Sequence, residues 1–233
     1  MTPTAIAEPI APTGVPPLCD GDRLGRAEFL RRWEADPDLK FAERIEGVVH
    51  SMASPVAVFE HGGPVFQLGW CLQNYAYLTI GTWAYSEGTT LIDRDNDFQP
   101  DAALIVLPEY GGQARRRGKF LEGAPELAAE IAATTAARDL GVKLQVYRRN
   151  GTREYIVWRT VQKKLEVFTL SDDGEYVPAP REQGVWKSAC FPGLWIHVAG
   201  LLSEDFPAVR NTANAGLESP EHVAFAAELA GRQ

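Results

Sequence analysis

Two apolar segments of strand length, each carrying a single carboxylate, constrain the fold of this 233-residue chain most strongly. Residues 99–106 carry Asp101 near their start, and residues 127–132 carry Glu130 near their end. A helix-like segment follows, with Lys143 set among apolar residues. A carboxylate at the end of an apolar strand is costly to desolvate unless it is paired, hydrogen-bonded or bound to a cation. The pattern therefore predicts a divalent-metal site at Asp101 and Glu130, with the Lys143 amine placed to stabilise developing negative charge.

The composition is that of an ordinary globular protein. Hydrophobic residues make up 45% of the chain and charged residues 23%, so a substantial core is expected and a fibrous repeat is excluded. No apolar run reaches the roughly 18 residues of a membrane span, and the N-terminus lacks the basic and apolar segments of a secretion signal. The cysteines, at 19, 71 and 190, are odd in number and widely separated, which indicates reduced thiols. We therefore expect a cytoplasmic protein with no membrane partner.

The net charge of −8 disfavours a general nucleic-acid coat protein, because phosphate contacts need a basic surface. Much of this charge lies near the ends, since residues 1–20 contribute −2 and residues 201–233 contribute −3. Between them, basic pairs and clusters occur at 115–119, 148–149 and 163–164. These clusters are either a local phosphate-facing patch or solvated loop charges.

Composition and periodicity divide the chain into three parts. Residues 1–21 are rich in proline and small residues, and we predict a disordered N-terminal arm. Residues 22–202 are predicted to form one α/β domain, and residues 203–233 a polar tail with a short C-terminal helix. The elements predicted inside the domain are a helix in 22–36, a hairpin in 44–52, a buried helix in 61–80, a strand in 83–92, a polar turn at 93–97, a strand from about 101, a loop at 108–123, the strand with Glu130, a helix from Thr134 or Thr135 to about 149, a hairpin of 154–158 with 165–170, and a short β segment in 188–198.

Several short motifs, taken in order, match a known family. They are Glu43-Arg44-Ile45-Glu46-Gly47-Val48-Val49, Ser54-Pro55 with His61, Gln99-Pro100-Asp101, residues 121–131, Asp139-Leu140 with Lys143 and Tyr147, and Arg149-Asn150-Gly151 before Glu154-Tyr155. Over about residues 22–202 the chain resembles the Uma2 family of restriction-endonuclease-like proteins. The resemblance implies a PD-(D/E)XK nuclease fold, which is an α/β (α+β) architecture with a restriction-endonuclease-like mixed β-sheet flanked by helices. It also implies DNA as the substrate.

One position departs from the pattern that gives the fold its name. Lysine is expected two residues after the strand carboxylate, where this chain has Ala132. Relatives without that lysine are thought to supply it from the following helix, so the resemblance carries the role to Lys143. The competing interpretation is a lysine at the core edge with its amine in water. Asp101 could likewise serve only to cap a turn, and Glu130 could only pair with an arginine.

The predicted function is that of a divalent-metal-dependent endonuclease that hydrolyses phosphodiester bonds in DNA. Asp101 and Glu130 would bind Mg²⁺ or Mn²⁺, because magnesium is held through one or two carboxylates together with substrate phosphate. Asp101, Glu130 and Lys143 are the predicted catalytic residues, and a homodimer is allowed. One alternative is a catalytically inactive nuclease-fold protein that binds nucleic acid or a protein partner. A small-molecule metal hydrolase using His50 or His61 is weaker, because the histidines show no ligand spacing. Neither Glu46 nor His61 is assigned a role.

Overall fold

The computed structural model describes residues 14–51 and 55–232. The helices are α1 (Arg26–Glu34), α2 (Gly63–Leu78), α3 (Ala136–Arg138), α4 (Leu144–Arg149), α5 (Val198–Ser203), α6 (Phe206–Leu217) and α7 (Pro220–Ala230). The strands are β1 (Ala42–Ile45), β2 (Val48–Ser51), β3 (Thr82–Tyr85), β4 (Thr90–Asp93), β5 (Asn96–Phe98), β6 (Ala102–Val106), β7 (Arg115–Arg117), β8 (Phe120–Glu122), β9 (Leu127–Ile131), β10 (Glu154–Arg159), β11 (Lys164–Leu170), β12 (Tyr176–Pro178), β13 (Val185–Lys187) and β14 (Trp195–His197). Single π-helical turns, Val58–Gly62 and Asp139–Lys143, precede α2 and α4.

Two six-stranded mixed sheets form the framework. The central sheet has the order β12-β11-β10-β9-β6-β3, and the outer sheet has the order β2-β1-β5-β4-β8-β7. Each contains one parallel pair, β9 with β10 in the central sheet and β4 with β8 in the outer sheet. A two-stranded ribbon of β13 and β14 completes the β structure among the described residues. The predicted α/β class, with a mixed sheet flanked by helices, is confirmed, although two large sheets replace the single predicted one.

The central sheet is buried on both faces. On one face Leu127 and Ile131 of β9 pack into a core with α2, α5, α6, α7 and the β13–β14 ribbon. On the other face Ala128 packs with Tyr147 of α4 and Phe98 of the outer sheet. Burial on both faces explains why β9 reads as a nearly continuous apolar run. A carboxylate on such a strand is therefore buried wherever it points.

Residues 83–98 form more elements than the sequence predicted. The predicted strand at 83–92 is two strands, β3 in the central sheet and β4 in the outer sheet, because the chain crosses between the sheets through Glu87, whose φ is 53°. The predicted polar turn at 93–97 runs into β5, where Asp97 is buried. Both Asp97 oxygens accept from guanidinium groups, Oδ1 from Arg26 at 2.6 Å and Oδ2 from Arg44 at 2.7 Å. Ion pairing thus keeps this aspartate in a strand.

The hairpins were predicted with uneven success. The turn at Glu46-Gly47 joins β1 to β2, as predicted, and both turn residues have positive φ. The hairpin of β10 with β11 is likewise confirmed. The predicted loop at 108–123 instead contains a third hairpin, β7 with β8.

The two ends of the described chain pack against the domain. Residues 1–13 of the predicted arm lie outside the described residues, as do 52–54, at the end of the predicted first hairpin, and 233. Leu18 belongs to a small cluster with Phe29, Ala42 and Val49. In the predicted polar tail, α6 was not anticipated, and Val209 joins the main core. No helix in the part of the chain that the structure describes combines the length and apolar character that a bilayer-spanning segment needs.

Candidate active site

A cavity of about 530 Å³ opens between the two sheets where β6 begins and β9 ends. Its lining combines β1 of the outer sheet, the π turn before α2, and the helical segment that follows β9. The ionisable side chains that line it include Glu43, Asp101, Glu130, Asp139 and Lys143. All three residues predicted to be catalytic therefore line one cavity.

Strand pairing accounts for the positions of the two predicted metal ligands. β6 and β9 are antiparallel, with Ala102 opposite Ala129, so that Asp101 comes opposite Glu130. Glu130 alternates with Leu127, Ala129 and Ile131 and so points toward the outer sheet. The Asp101 Oδ2 accepts from the Ile131 backbone N–H at 2.5 Å, which ties the start of β6 to the end of β9. Asp101 and Glu130 are 9% and 4% exposed.

Lys143 enters the cavity from the helical segment formed by α3, the π turn Asp139–Lys143 and α4. Gly141 interrupts this segment with non-helical dihedral angles, φ −104° and ψ −105°. The Lys143 Nζ lies 2.7 Å from the Glu130 Oε1 and 2.9 Å from the Glu43 Oε1. The side chain is 2% exposed, so its amine is not in bulk water. A core-edge lysine with a solvated amine, the alternative considered from the sequence, does not describe this residue.

The carboxylates around Lys143 outnumber the positive charge that this residue supplies. Burial alone would lower the pKa of Lys143, but the carboxylates of Glu130, Glu43 and Asp139 outweigh it and raise that pKa. Lys143 is therefore an ammonium ion at neutral pH. Burial raises the pKa of Glu130 well above its usual value, Lys143 opposes that rise, and the negative charges of Asp139, Asp101 and Glu43 add to it. One ammonium ion therefore leaves this group of carboxylates with excess negative charge.

His61 contacts the same aspartate. Its Nε2 lies 3.4 Å from the Asp101 Oδ1, and its Nδ1 lies 3.0 Å from the backbone oxygen of Ile131. Both ring nitrogens thus face acceptors, an arrangement that only the doubly protonated imidazolium satisfies. The hydrogen bond to Asp101 raises the pKa of His61, although burial opposes the rise. His61 therefore belongs to the site, a position that its place before a predicted helix did not reveal.

Sequence reasoning missed Glu43 as a site residue. It is buried on β1, and its Oε1 accepts from the Gln99 backbone N–H at 2.9 Å as well as from Lys143. The signal in the sequence was its place at the head of the first matching motif, beside Arg44. Asp139 was missed for a similar reason. It stands within a matching motif, where it accepts from the Thr135 hydroxyl, and burial raises its pKa.

Two other sequence candidates do not line the cavity. Glu46, in the turn between β1 and β2, is half exposed and accepts from the Arg149 Nη2 at 2.6 Å. His50, on β2, is not among the residues that line the cavity. Of the two histidines considered for a small-molecule metal hydrolase, His50 and His61, only His61 lines this cavity.

The donor set fits a divalent cation through oxygen atoms. Within residues 14–51 and 55–232, no group of three or more His, Cys, Asp or Glu side chains is gathered as a complete ligand sphere. Asp101 and Glu130 nevertheless line the same cavity from adjacent strands. The cavity is lined by five carboxylates and three basic side chains in addition to His61, which leaves it negative. Mg²⁺ suits such a site, because it retains several waters and takes only one or two carboxylates.

The Uma2 family model, described as "Putative restriction endonuclease", matches residues 26–199. The chain belongs to the Uma2 family. The matched region contains the ionisable residues that surround Lys143 in the cavity, which are Glu43, Asp101, Glu130 and Asp139, and Lys143 itself. The family that the sequence motifs resembled is thus confirmed.

Among the solved structures that are similar in fold is the crystal structure of a "putative nuclease" belonging to DUF820 from Anabaena variabilis ATCC 29413. It superposes on this Uma2 protein with a TM-score of 0.60 at 14% sequence identity, covering 77% of this chain and 98% of the other. At that identity the likeness is one of fold. Among curated proteins, none is similar enough to match the chain. Family and fold together support a nuclease.

Proposed function

We propose that this Uma2 protein is a divalent-metal-dependent endonuclease that hydrolyses phosphodiester bonds in DNA. The observation that carries the proposal is the convergence of Asp101, Glu130 and Lys143 on one cavity of a nuclease-like fold. Three separate parts of the chain supply these side chains, and the fold brings all three to the lining of the same cavity. Electrostatic preorganisation of this kind is usually the largest contribution to catalysis of a reaction that develops negative charge.

Asp101 and Glu130 are the proposed metal ligands, and Mg²⁺ or Mn²⁺ the proposed cofactor. When bound, the cation would supply Lewis-acid polarisation of a phosphodiester oxygen and would lower the pKa of a water molecule. The raised pKa of Glu130 supports the assignment. The ionised form of this carboxylate is destabilised by burial and by the neighbouring carboxylates, and a bound cation would stabilise it.

Lys143 is proposed to stabilise the negative charge that develops on the phosphorus-bound oxygens. Its pKa is raised, so it is an ammonium donor and not a general base at neutral pH. In the free protein the ammonium is held by Glu43 and Glu130 at 2.9 and 2.7 Å, which fixes its position before substrate arrives. Glu43 and the ring of Phe98, whose centroid lies 5.1 Å from the Lys143 Nζ, are the proposed positioning groups.

DNA is the proposed substrate on the strength of the family and of the local charge. Lys40 and Arg138 line the cavity alongside the carboxylates, and neither is fully buried. They are suited to bind the phosphates that flank the reacting bond, since phosphate contacts supply most of the sequence-independent affinity. Binding would therefore weaken with added salt.

A catalytically inactive binding module is the second candidate. It is favoured by the ion pairs of Lys143, which occupy one oxygen each of Glu43 and Glu130, and by Ala132 at the motif position. Such a protein would use the cavity to hold a phosphate or a partner's basic side chain without turnover.

Nicking of supercoiled plasmid with Mg²⁺, with Mn²⁺ and with a chelator separates these two functions. We expect nicking that depends on the added metal and that is lost in Asp101→Asn, because the amide removes a negatively charged ligand. Calorimetric titration of the metal without DNA should show weaker binding to Asp101→Asn than to the wild type. DNA binding without nicking at any metal concentration would favour the inactive module.

A further inference from the structure

Exposed apolar side chains are concentrated in one short part of the chain. Among the described residues, nine of the thirteen large apolar side chains that are exposed lie within residues 56–83. We call the six of them that lie on α2, on β3 or between these two elements the apolar edge surface: Phe66, Trp70, Tyr77, Leu78, Ile80 and Trp83. Isolated exposed apolar residues are normal, whereas a cluster of this size marks a site of interaction.

Helix α2 is apolar on both sides. Leu68, Leu72 and Tyr75 face the main core and are fully buried. Phe66 and Tyr77 lie on the opposite side, where they are 78% and 81% exposed. Large aromatic side chains exposed on the outer side of a helix whose other side is already buried indicate a contact surface. The outer side of α2 therefore calls for a partner.

Strand β3 is the last strand of the central sheet, with β6 as its neighbour on one side. Its sequence, Thr-Trp-Ala-Tyr, contains none of the lysine or proline residues that protect exposed sheet edges from pairing. Trp83 is 60% exposed on this strand. A groove of about 500 Å³ separates β3 from α2, so both elements border the same sheet edge.

Charge indicates what kind of partner fits. Residues 61–86 contain no Asp, Glu, Lys or Arg, whereas a nucleic acid would require basic side chains. Aromatic enrichment and depletion of charge are typical of the centre of a protein–protein interface. A charge-free surface can also meet its own copy without like-charge repulsion, even though each chain carries −8 overall.

The exposed area approaches that of a standard interface. The four aromatic side chains of the apolar edge surface expose roughly 500 Å² together, taking about 200 Å² for each complete side chain. A stable interface buries about 800 Å² on each partner. Leu78, Ile80 and the unpaired side of β3 add to that area.

We propose that the chain forms a two-fold homodimer through the apolar edge surface, with β3 pairing antiparallel to β3 of the partner and α2 packing on its counterpart. Two-fold symmetry places the same surface on both protomers and requires the antiparallel direction. The groove beside β3 shares Val56, His61 and Glu87 with the candidate active-site cavity. The dimer contact therefore lies beside each site.

Sedimentation velocity on the full chain, from about 1 to about 100 µM, tests the proposal. We expect a species of twice the 25.6 kDa chain mass. Phe66→Glu and Trp83→Glu should each raise the dimer dissociation constant at least about thirtyfold, as expected when a central aromatic contact is lost. Val223→Glu is the matched control, because Val223 is 62% exposed on α7 outside the surface. This variant should remain dimeric.

Circular dichroism verifies that each variant is folded. Phe66 lies on α2 and Trp83 on β3, so if one variant does not fold the other still tests the proposal. A wild-type chain that is monomeric over the whole range overturns the proposal. So does a dimer that survives both substitutions. A monomer that dimerises only after deletion of residues 1–13 also overturns it, because the chain's own N-terminal segment would then cover the surface.

Discussion

Strand β1 carries two neighbouring charged residues into two different buried clusters, and the contrast between these clusters separates structure from function. Arg44 meets Asp97, whose two oxygens each receive a guanidinium group. Glu43, one residue earlier and on the opposite face, meets Lys143. The first cluster has a cation for each carboxylate oxygen, whereas the second has more carboxylates than cations and opens on a cavity. Burial of charge alone therefore does not mark a site, but unbalanced charge beside accessible space does.

The largest expected effect is on stability and comes from Asp97→Ala. Removing this carboxylate leaves the buried Arg44 guanidinium group and the partly buried Arg26 guanidinium group without their partner, which costs about 3–5 kcal/mol of unfolding free energy. Urea denaturation at neutral pH measures this loss. Asp95→Ala is the control, because Asp95 is 60% exposed and 3.8 Å from Arg44, and it should change stability by no more than about 1 kcal/mol. Equal losses in the two variants would show that Asp97 does not hold its cluster together.

The next effect is on catalysis and comes from Lys143→Met. The methionine keeps the apolar stem and leaves both carboxylates in place, so the fold and metal binding should be retained. Cleavage should fall by at least about a hundredfold, as expected on loss of one preorganised contact to developing charge. Lys40→Met, at a more exposed position on the same cavity, should lower cleavage far less. Wild-type cleavage by Lys143→Met at saturating Mg²⁺ would remove Lys143 from the mechanism.

A smaller effect concerns protonation of His61. Because the hydrogen bond to Asp101 raises the pKa of His61, its NMR titration midpoint should lie above 6.5 in the wild type. Asp101→Asn removes the charge of that carboxylate, which raises the pKa most, so the midpoint should fall below that of the wild type. The stabilisation linked to the His61 proton is complete below pH 6.5 and is lost as pH rises through the higher pKa of the folded state. His61→Gln assigns the resonance, and an unchanged midpoint in Asp101→Asn would contradict the contact.

The smallest effect is expected at the surface. Glu46 pairs with Arg149 at 2.6 Å, and both side chains are more than 40% exposed. Glu46→Gln should therefore cost less than about 1 kcal/mol and leave plasmid nicking unchanged. A large loss of nicking with intact stability would bring Glu46 into the mechanism although it does not line the cavity.

The sequence predicted the parts of the site that are local in the chain. The apolar runs around Asp101 and Glu130 have the length of strands, the residues around Lys143 have helical spacing, and the structure contains each of these elements. Glu43 could not be assigned, because its contact with Lys143 depends on how the outer sheet packs on the central one. Helix α6 escaped notice for another reason. Its buried stripe consists of Val209, Ala213 and Gly216, which include only one large apolar residue.

The interruption at Gly141 has an evolutionary consequence. Ala132 is buried on the same face of the chain as Glu130, so a lysine at position 132 would extend into the space that the Lys143 ammonium occupies. The helical segment interrupted at Gly141 places the ammonium group of Lys143 there instead, from a position eleven residues after Ala132. Two lineages could therefore exchange one lysine for the other without moving the positive charge. A motif search that requires the lysine at a fixed distance in sequence from the carboxylate misses such a chain. A comparison of side-chain positions in the structure finds it.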